Sequence, residues 1–398
     1  MNKRIAILGA RGIPARHGGF ETFAQHLALY LAHNGWDVTV YCQGDVGAEA
    51  RTDDQWNGIR RVTFGVHAAG PAGTIEFDWR SIRDAAREKY PLTLTLGYNT
   101  AVFCTWLRIA GIVNLINMDG LEWKRRKWRA HERAWLWLNE RIGCLIGDHL
   151  IADHPAIADH LATRVSRTKI TTIAYGADNV SRTGADLPDA TVLERYGLEA
   201  GRYGIVIARP EAENSILEIV TAFSRRRRRM KLVVLGRYDP AHHAYHAQVQ
   251  AAASGEVLFP GAIYDGEVVG ALRAHARFYV HGHQVGGTNP SLVEALAASN
   301  AVIAHDNRFN RWVAGPSARY FSSVDACDEW MTSLATDDAT VDAMRQGSFA
   351  RYQAEFRWER ILGEYEDLFV RFLSAQQTGR PQGERRIGVD ASTGEWRR

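Results

Sequence analysis

The segment HGHQVGGTNPSLVEALAASNAVIAHD, His281 to Asp306, concentrates residues able to do chemistry. His281 and His283 end an apolar run. Gly286, Gly287 and Thr288 then offer a nearly bare backbone that a ligand can approach closely. Asn289 has the side chain of a helix N-cap, and Pro290 suits the first helical position. A helix start bearing free amides holds anions, phosphate above all. Glu294 lies too far past the cap to close a capping box. Its neighbours Leu292, Val293, Leu296 and Ala297 are apolar. Glu294 is therefore either paired inside the protein or aimed at a hydroxylated group beside the phosphate. The spacing of His281 and His283 permits a metal ion, but the sequence offers no third ligand.

Three more candidates follow apolar runs. GARGIPARHGGFE lacks both the dinucleotide fingerprint and the P-loop signature, yet Gly18 and Gly19 open a helix. They either contact phosphate or sugar, or form a flexible turn. In NMDGLEW, Asp119 and Glu122 stand beside a basic cluster; the alternative for Asp119 is a helix cap. In IARPEAEN, Arg209 directly follows a strand. An arginine there grips a diphosphate with two parallel hydrogen bonds, or pairs with Glu211 or Glu213.

These residues need a frame. RIAILGA, Arg4 to Ala10, is a short apolar run and predicts a buried parallel strand. Phe20, Phe23, Ala24, Leu27 and Leu31 have helical spacing, and WDVTVYC is the next strand. Further strands are expected at IRRVTFGV, LTLTLGY, IVNLINMD, HLIADH and KITTIAYGAD. A helix is expected from Ala130 to Ile146. A second alternating series runs through YGIVIARP, KLVVLGR, EVLFPGAI, RFYVHGH, NAVIAHD and ARYFSSV. The expected fold class is α/β, with two doubly wound Rossmann-like domains facing across a cleft. The expected divisions are 1–178, a linker 179–202, a second domain 203–354, a helix 355–375 crossing back to the first, and a polar tail 376–398.

Composition restricts the partners. At 398 residues two domains are the natural expectation, and 46% hydrophobic with 23% charged residues is the make-up of a water-soluble globular protein. A net charge of +3 gives no reason to expect nucleic acid. The basic residues cluster at Lys124–Lys127 and Arg225–Arg229, which are either solvated helix faces or patches attracted to anionic lipid. Cys42, Cys104, Cys144 and Cys327 form no CxxC pair and read as buried thiols of a reducing compartment. No secretory leader is recognisable, and no apolar run reaches the roughly 20 residues of a membrane span. The expected location is the cytoplasm, with possible contact to the inner face of the plasma membrane.

HGHQVGGTNPSLVEALA resembles the HGH-x-VGGTNPSLLEAMA segment of bacterial glycosyltransferases related to the β-1,4-rhamnosyltransferases of capsule and exopolysaccharide synthesis. That group belongs to glycosyltransferase family four, with the GT-B fold and retaining stereochemistry. GARGIPARHGGFETFA and NMDGLEWKRRKW are similar to its N-terminal and middle signatures.

The resemblance implies a nucleotide-diphosphate sugar as donor, bound mainly by the second domain. It implies a lipid-linked glycan as acceptor, mainly on the first domain, where Arg16, His17 and Glu122 are the candidates. Glu294 matches the later acid of the E-x7-E motif, which holds the ribose. Arg209 matches the residue on the diphosphate, and Gly18 and Gly19 the loop at the sugar phosphates. His281, Gly286, Gly287, Thr288 and Asn289 complete the donor site, and Asp119 falls near a catalytic-centre polar residue.

Two departures stand out. Gly286 replaces the first acid of that motif, and Asn214 replaces a lysine, for which Arg11, Arg16 or Arg237 are candidate substitutes. The rhamnosyltransferase group that the chain resembles shares the glycine, which is a reason to expect a deoxy-sugar donor such as rhamnose. No cofactor or metal is expected, the sugar nucleotide being a co-substrate. The resemblance further implies same-face attack, with the leaving phosphate taking the acceptor proton. The alternatives are a non-catalytic sugar-nucleotide or glycan binder, and a nicotinamide-dependent oxidoreductase.

Overall fold

A computed structural model describes residues 2–15, 18–125, 127–178 and 188–377. The first sheet contains β1 (Arg4–Leu8), β2 (Asp37–Val46), β3 (Thr52–Trp56), β4 (Ile59–Val66), β5 (Leu92–Leu96), β6 (Val113–Asn117), β7 (His149–Ala152) and β8 (Ile170–Thr172). Their order is β3-β4-β2-β1-β5-β6-β7-β8. The second contains β9 (Tyr203–Ile207), β10 (Lys231–Leu235), β11 (Val257–Gly261), β12 (Phe278–His281), β13 (Ala301–His305) and β14 (Arg319–Phe321). Their order is β11-β10-β9-β12-β13-β14. Every pairing is parallel except β3 with β4. The central strands are almost wholly buried because helices cover both faces, which is why they read as continuous apolar runs.

β3 is the strand that the apolar-run criterion passes over. Its residues, TDDQW, are polar and mostly exposed. A different signal was present. Asn57 and Gly58 both take positive φ, 48° and 79°, which is the two-residue hairpin turn that Asn-Gly favours. Across the hairpin Arg60 pairs with Asp53 at 2.6 Å and Arg61 with Asp54 at 2.7 Å.

The expected irregular linker is partly structured. From 188 onward it packs on the second domain: Leu193 and Leu198 are buried, and the His275 ring meets the Pro188 carbonyl at 2.7 Å. Two apolar side chains in a polar stretch were enough to dock it. The Arg225–Arg229 clump is also not a free basic face. Arg225 pairs with Asp325, and Arg226 and Arg228 with Asp328. No helix among the described residues is long and apolar enough to cross a membrane.

The helix Trp358–Gln377 crosses back to the first domain. Glu366 accepts hydrogen bonds there from Lys3 Nζ (3.3 Å), Asn34 Nδ2 (3.1 Å) and Trp36 Nε1 (2.8 Å). The preceding residue, Tyr365, accepts with its Oη from Asn117 Nδ2 at 2.9 Å. Phe369 meets the Trp36 ring edge-on at 5.9 Å. The expected split, helix 355–375 and tail from 376, shifts slightly. Gln376 still belongs to the helix, donating to the Pro91 carbonyl, and residues 378–398 lie outside the described residues. Removing the carboxylate of Glu366 strands three donors. We expect Glu366→Ala to destabilise the protein by about 1–3 kcal/mol, read as a lower urea midpoint at unchanged slope.

Candidate active site

Each sheet reverses its strand order once, between β1 and β5 in the first and between β9 and β12 in the second. Loops leaving neighbouring strands at such a reversal run to opposite faces and open a crevice at the carboxyl ends. The candidate residues lie on those loops. Gly18 and Gly19 follow β1, Arg209 follows β9, and the Gly286–Asn289 loop follows β12.

The two crevices face each other. Helices Gly19–His33 and Pro290–Ala297 point their N-termini together: a Cβ on Gly19 would come 3.2 Å from Pro290 Cγ. Gly18 is the N-cap residue of the first, in extended backbone. Tyr175 Oη donates to the Gly19 carbonyl at 3.3 Å. Asn289 caps the second helix as expected, its side chain accepting from Ser291 N–H at 3.0 Å. The Gly19–His33 helix has no side-chain cap on its first amides, whereas Asn289 and Asp153 occupy those at the start of the second helix; the two helix dipoles still make this end of the crevice electropositive.

The Gly-Gly-Thr loop rests against the first domain. A Cβ on Gly286 would meet nothing within 4 Å, so the crevice is open there. Gly287 has no such room, since its Cβ would lie 2.1 Å from Asp153 Oδ1. Thr288 donates its N–H to Asp153 Oδ2 at 2.8 Å and its hydroxyl to the Asp153 carbonyl. The amide expected to hold a ligand anion therefore holds a carboxylate of the protein itself. Asp153 Oδ1 is buried and has no donor. Burial, and then the field of Asp119, push the Asp153 carboxyl up to about 7.

Asp119 does not cap a helix. It sits at φ 48°, its N–H donating to Asn117 Oδ1 at 3.0 Å. Burial and the adjacent Glu122 raise its carboxyl to about 6. Glu122 is engaged: it accepts from Arg125 Nη1 at 2.8 Å and Trp128 Nε1 at 3.2 Å, with Lys127 Nζ at 3.6 Å. Burial raises Glu122, but Arg125 and Lys127 outweigh it and hold the acid ionised. The structure thus places Glu122 as an anchor for two cations rather than a free acceptor contact. Arg16 and His17 lie outside the described residues.

Arg125 continues across the crevice to Glu213, Nε to Oε1 at 2.6 Å. Glu213 is taken, and the exposed Arg209 side chain pairs with no carboxylate among the described residues. Its field reaches Lys127 and His283. Asn214 spends its side chain on the Arg209 carbonyl at 2.8 Å, fixing the loop. Arg209 lies within electrostatic reach of Lys127 and, together with Arg125, of His283. Arg11 lines a different cavity, about 440 Å³, beside Gln43, Asp45 and Arg61.

His281 is misplaced in the expected donor site. It is buried in the second domain, stacked on His283 with ring centres 4.3 Å apart. His283 is the ring that the fields of Arg125 and Arg209 reach. Burial first, then those two cations, lower it to about 3, so it stays neutral. Glu294 pairs with Arg273 of the helix Gly266–Ala274, yet its side chain keeps 37% exposure. Its field reaches the Tyr175 hydroxyl, beside Gly19. Glu294 thus has the partner inside the protein that the first reading expects, while part of its side chain stays exposed. Among the described residues no group of three His, Cys, Asp or Glu side chains is placed to hold a metal ion.

With the geometry fixed, comparison with known proteins is informative. Residues 2–178 match the family described as domain of unknown function DUF1972. No protein of curated function matches the sequence. Sucrose-phosphate synthase of Thermosynechococcus elongatus superposes with a TM-score of 0.78 at 20% identity, covering 94% of this chain and 100% of that one. HepE of Anabaena, solved with UDP and glucose, gives 0.73 at 12%, covering 93% and 100%. α,α-Trehalose 6-phosphate synthase of Burkholderia multivorans gives 0.72 at 12%, covering 97% and 100%. The architecture is the GT-B fold, two parallel-sheet α/β domains facing across a crevice.

The Asp153 contact makes a pH prediction. Asp119 and Asp153 both have folded-state values above the usual carboxylate range, so the folded protein holds their protons more tightly than the unfolded chain. Ionising them costs stability, which is lost as pH rises from about 4 to about 7. We expect wild-type Tm to drop from pH 5 to pH 8 by roughly 2–4 °C more than that of Asp153→Asn. Parallel melting curves for the two proteins would refute this.

Proposed function

We propose that the chain is a glycosyltransferase that draws a sugar from a nucleotide-diphosphate donor bound in this crevice. One observation carries the reading. Two helix N-termini and Arg209, which pairs with no carboxylate among the described residues, lie where both sheets reverse their strand order, beside Arg125 and Lys127 held by Glu122 and Glu213. Such a place suits a diphosphate, whose negative charge grows as the anomeric bond breaks. Fixed positive groups there lower the barrier, usually the largest single term in catalysis of this kind. The same groups supply the charge without a divalent metal.

The remaining residues fall into roles. Arg209 neutralises the departing diphosphate. The start of the Gly19–His33 helix offers its amides to it, and the Pro290–Ala297 helix adds the positive end of its dipole. Glu294, open at the rim, accepts hydroxyl groups of the nucleotide. Asp119 takes a hydrogen bond from an incoming hydroxyl. The open space at Gly286 suits a donor sugar with fewer hydroxyl groups, a deoxy sugar such as rhamnose. A lipid-linked glycan at the inner face of the plasma membrane is the acceptor, and transfer retains the anomeric configuration. The motifs shared with the rhamnosyltransferase group support these finer assignments, and HepE, which shares the fold, was solved with UDP and glucose.

A thermal-shift panel of dTDP-, UDP- and GDP-sugars identifies the donor, and transfer or donor hydrolysis is then assayed. We expect Arg209→Ala to lower kcat/KM by roughly 10²–10³-fold. Its Tm stays near wild type, because the side chain is exposed. Binding without turnover in the wild type would reduce the chain to a sugar-nucleotide binder, and no shift with any sugar nucleotide would remove the proposal.

A further inference from the structure

We propose that the outer face formed by the helices Pro71–Glu88, Thr105–Ile109 and Ala130–Ile146 docks on an anionic lipid bilayer. Six large apolar side chains stand in solvent there: Trp106, Ile109, Trp135, Trp137, Leu138 and Leu145. Ile109 is 76% exposed and Leu145 74%. Scattered exposed apolar residues are ordinary, whereas a contiguous group marks a contact surface.

Several contacts establish that the group is contiguous. Trp106 meets the Trp79 ring edge-on at 5.0 Å, joining the second helix to the first. Arg108 donates to the Ile146 carbonyl at 3.0 Å, joining it to the third. Trp135 Nε1 donates at 2.9 Å to the Asn99 carbonyl, just before the turn Ala101–Cys104 that leads into Thr105–Ile109. The helix Ala130–Ile146 is unusual in its own polarity. Asn139 and Glu140 are buried, while Trp135, Trp137, Leu138 and Leu145 face outward.

Charge selects the partner. Arg141 lies over the Trp137 ring at 4.0 Å and Arg83 over Trp79 at 5.4 Å, and Arg133 is exposed on the same helix as Trp137. The two acids of that helix are already engaged. Glu132 accepts the Arg129 N–H, and Glu140 is paired inside with Arg164 and His160. Indole rings and leucines ringed by guanidinium groups match the headgroup layer of a bilayer, with apolar tips below and phosphates at their level. The basic clumps singled out in the sequence are largely engaged elsewhere: Arg225 with Asp325, Arg226 and Arg228 with Asp328, and Arg125 and Lys127 in the crevice. The turn Glu122–Lys124 at the crevice packs on the Ala130–Ile146 helix, Trp123 Nε1 donating to Glu140 at 2.7 Å and the Trp123 carbonyl accepting from Arg133 Nε at 3.0 Å.

Docking is independent of the catalytic reading and is measured without any sugar nucleotide. The purified protein is sedimented with phosphatidylcholine vesicles with and without phosphatidylglycerol. We expect binding to the anionic vesicles only, with a blue shift of tryptophan emission, and release by salt. The double variant Leu138→Ser, Leu145→Ser alters only exposed side chains and should keep its Tm while binding roughly tenfold more weakly. Arg133→Ser with Arg141→Ser should weaken binding and the preference for phosphatidylglycerol. Failure of the wild type to bind, or equal binding by the leucine variant, overturns the proposal. So does a concentration-dependent dimer, without vesicle binding, that the leucine variant dissociates, which would assign the face to a second copy of the chain.

Discussion

Thr288 holding Asp153 is the contact on which the geometry of the crevice depends. It joins the loop after β12 to the end of β7, with the main-chain N–H and the hydroxyl of one residue both directed at one aspartate. Arg125, spanning Glu122 and Glu213, repeats the connection on the other side of the crevice. Two polar bridges between domains set the separation of the facing helix starts, and so the space a ligand finds. Polar bridges suit such a place. They are specific in geometry, yet water and an incoming anion can compete for them, as they cannot for an apolar interface.

The electrostatics of the site follow from burial more than from pairing. His281 and His283 are kept neutral, so the ring pair adds no charge to a crevice already rich in cations. Asp119 and Asp153 are pushed toward neutrality by the same low polarity. Glu122 stays ionised only because two cations reach it. The positive charge left over belongs to Arg209 and the helix ends.

Much of this was legible in the sequence. Short apolar runs gave the buried strands, because a strand covered on both faces has no polar side to show. The cap at Asn289 and Pro290 was readable since it is a local rule, and so were the glycine loops. Asp153 was not. It ends an apolar strand like several others, and its partner Thr288 lies in the other domain. Only its place at a strand's carboxyl end beside the crevice marked it out. Arg125 and Lys127 read as part of a surface clump for the same reason: Glu213, which turns Arg125 inward, is distant in the chain. His281 and His283 looked equivalent by type and spacing, but the first belongs to the strand and the second to the loop beyond it. TDDQW shows the converse case, a local Asn-Gly signal hidden by polar residues that carry no apolar pattern.

The lack of space at Gly287 has one more consequence. An anion reaching the Thr288 amide must expel the carboxyl group of Asp153 into water. Buried beside Asp119, that group holds its proton more tightly than an ordinary carboxyl; once solvated it returns to ordinary acidity. Ligand capture at this amide is thus coupled to proton release and to parting of the domains, and an alkaline shift in the surroundings favours both.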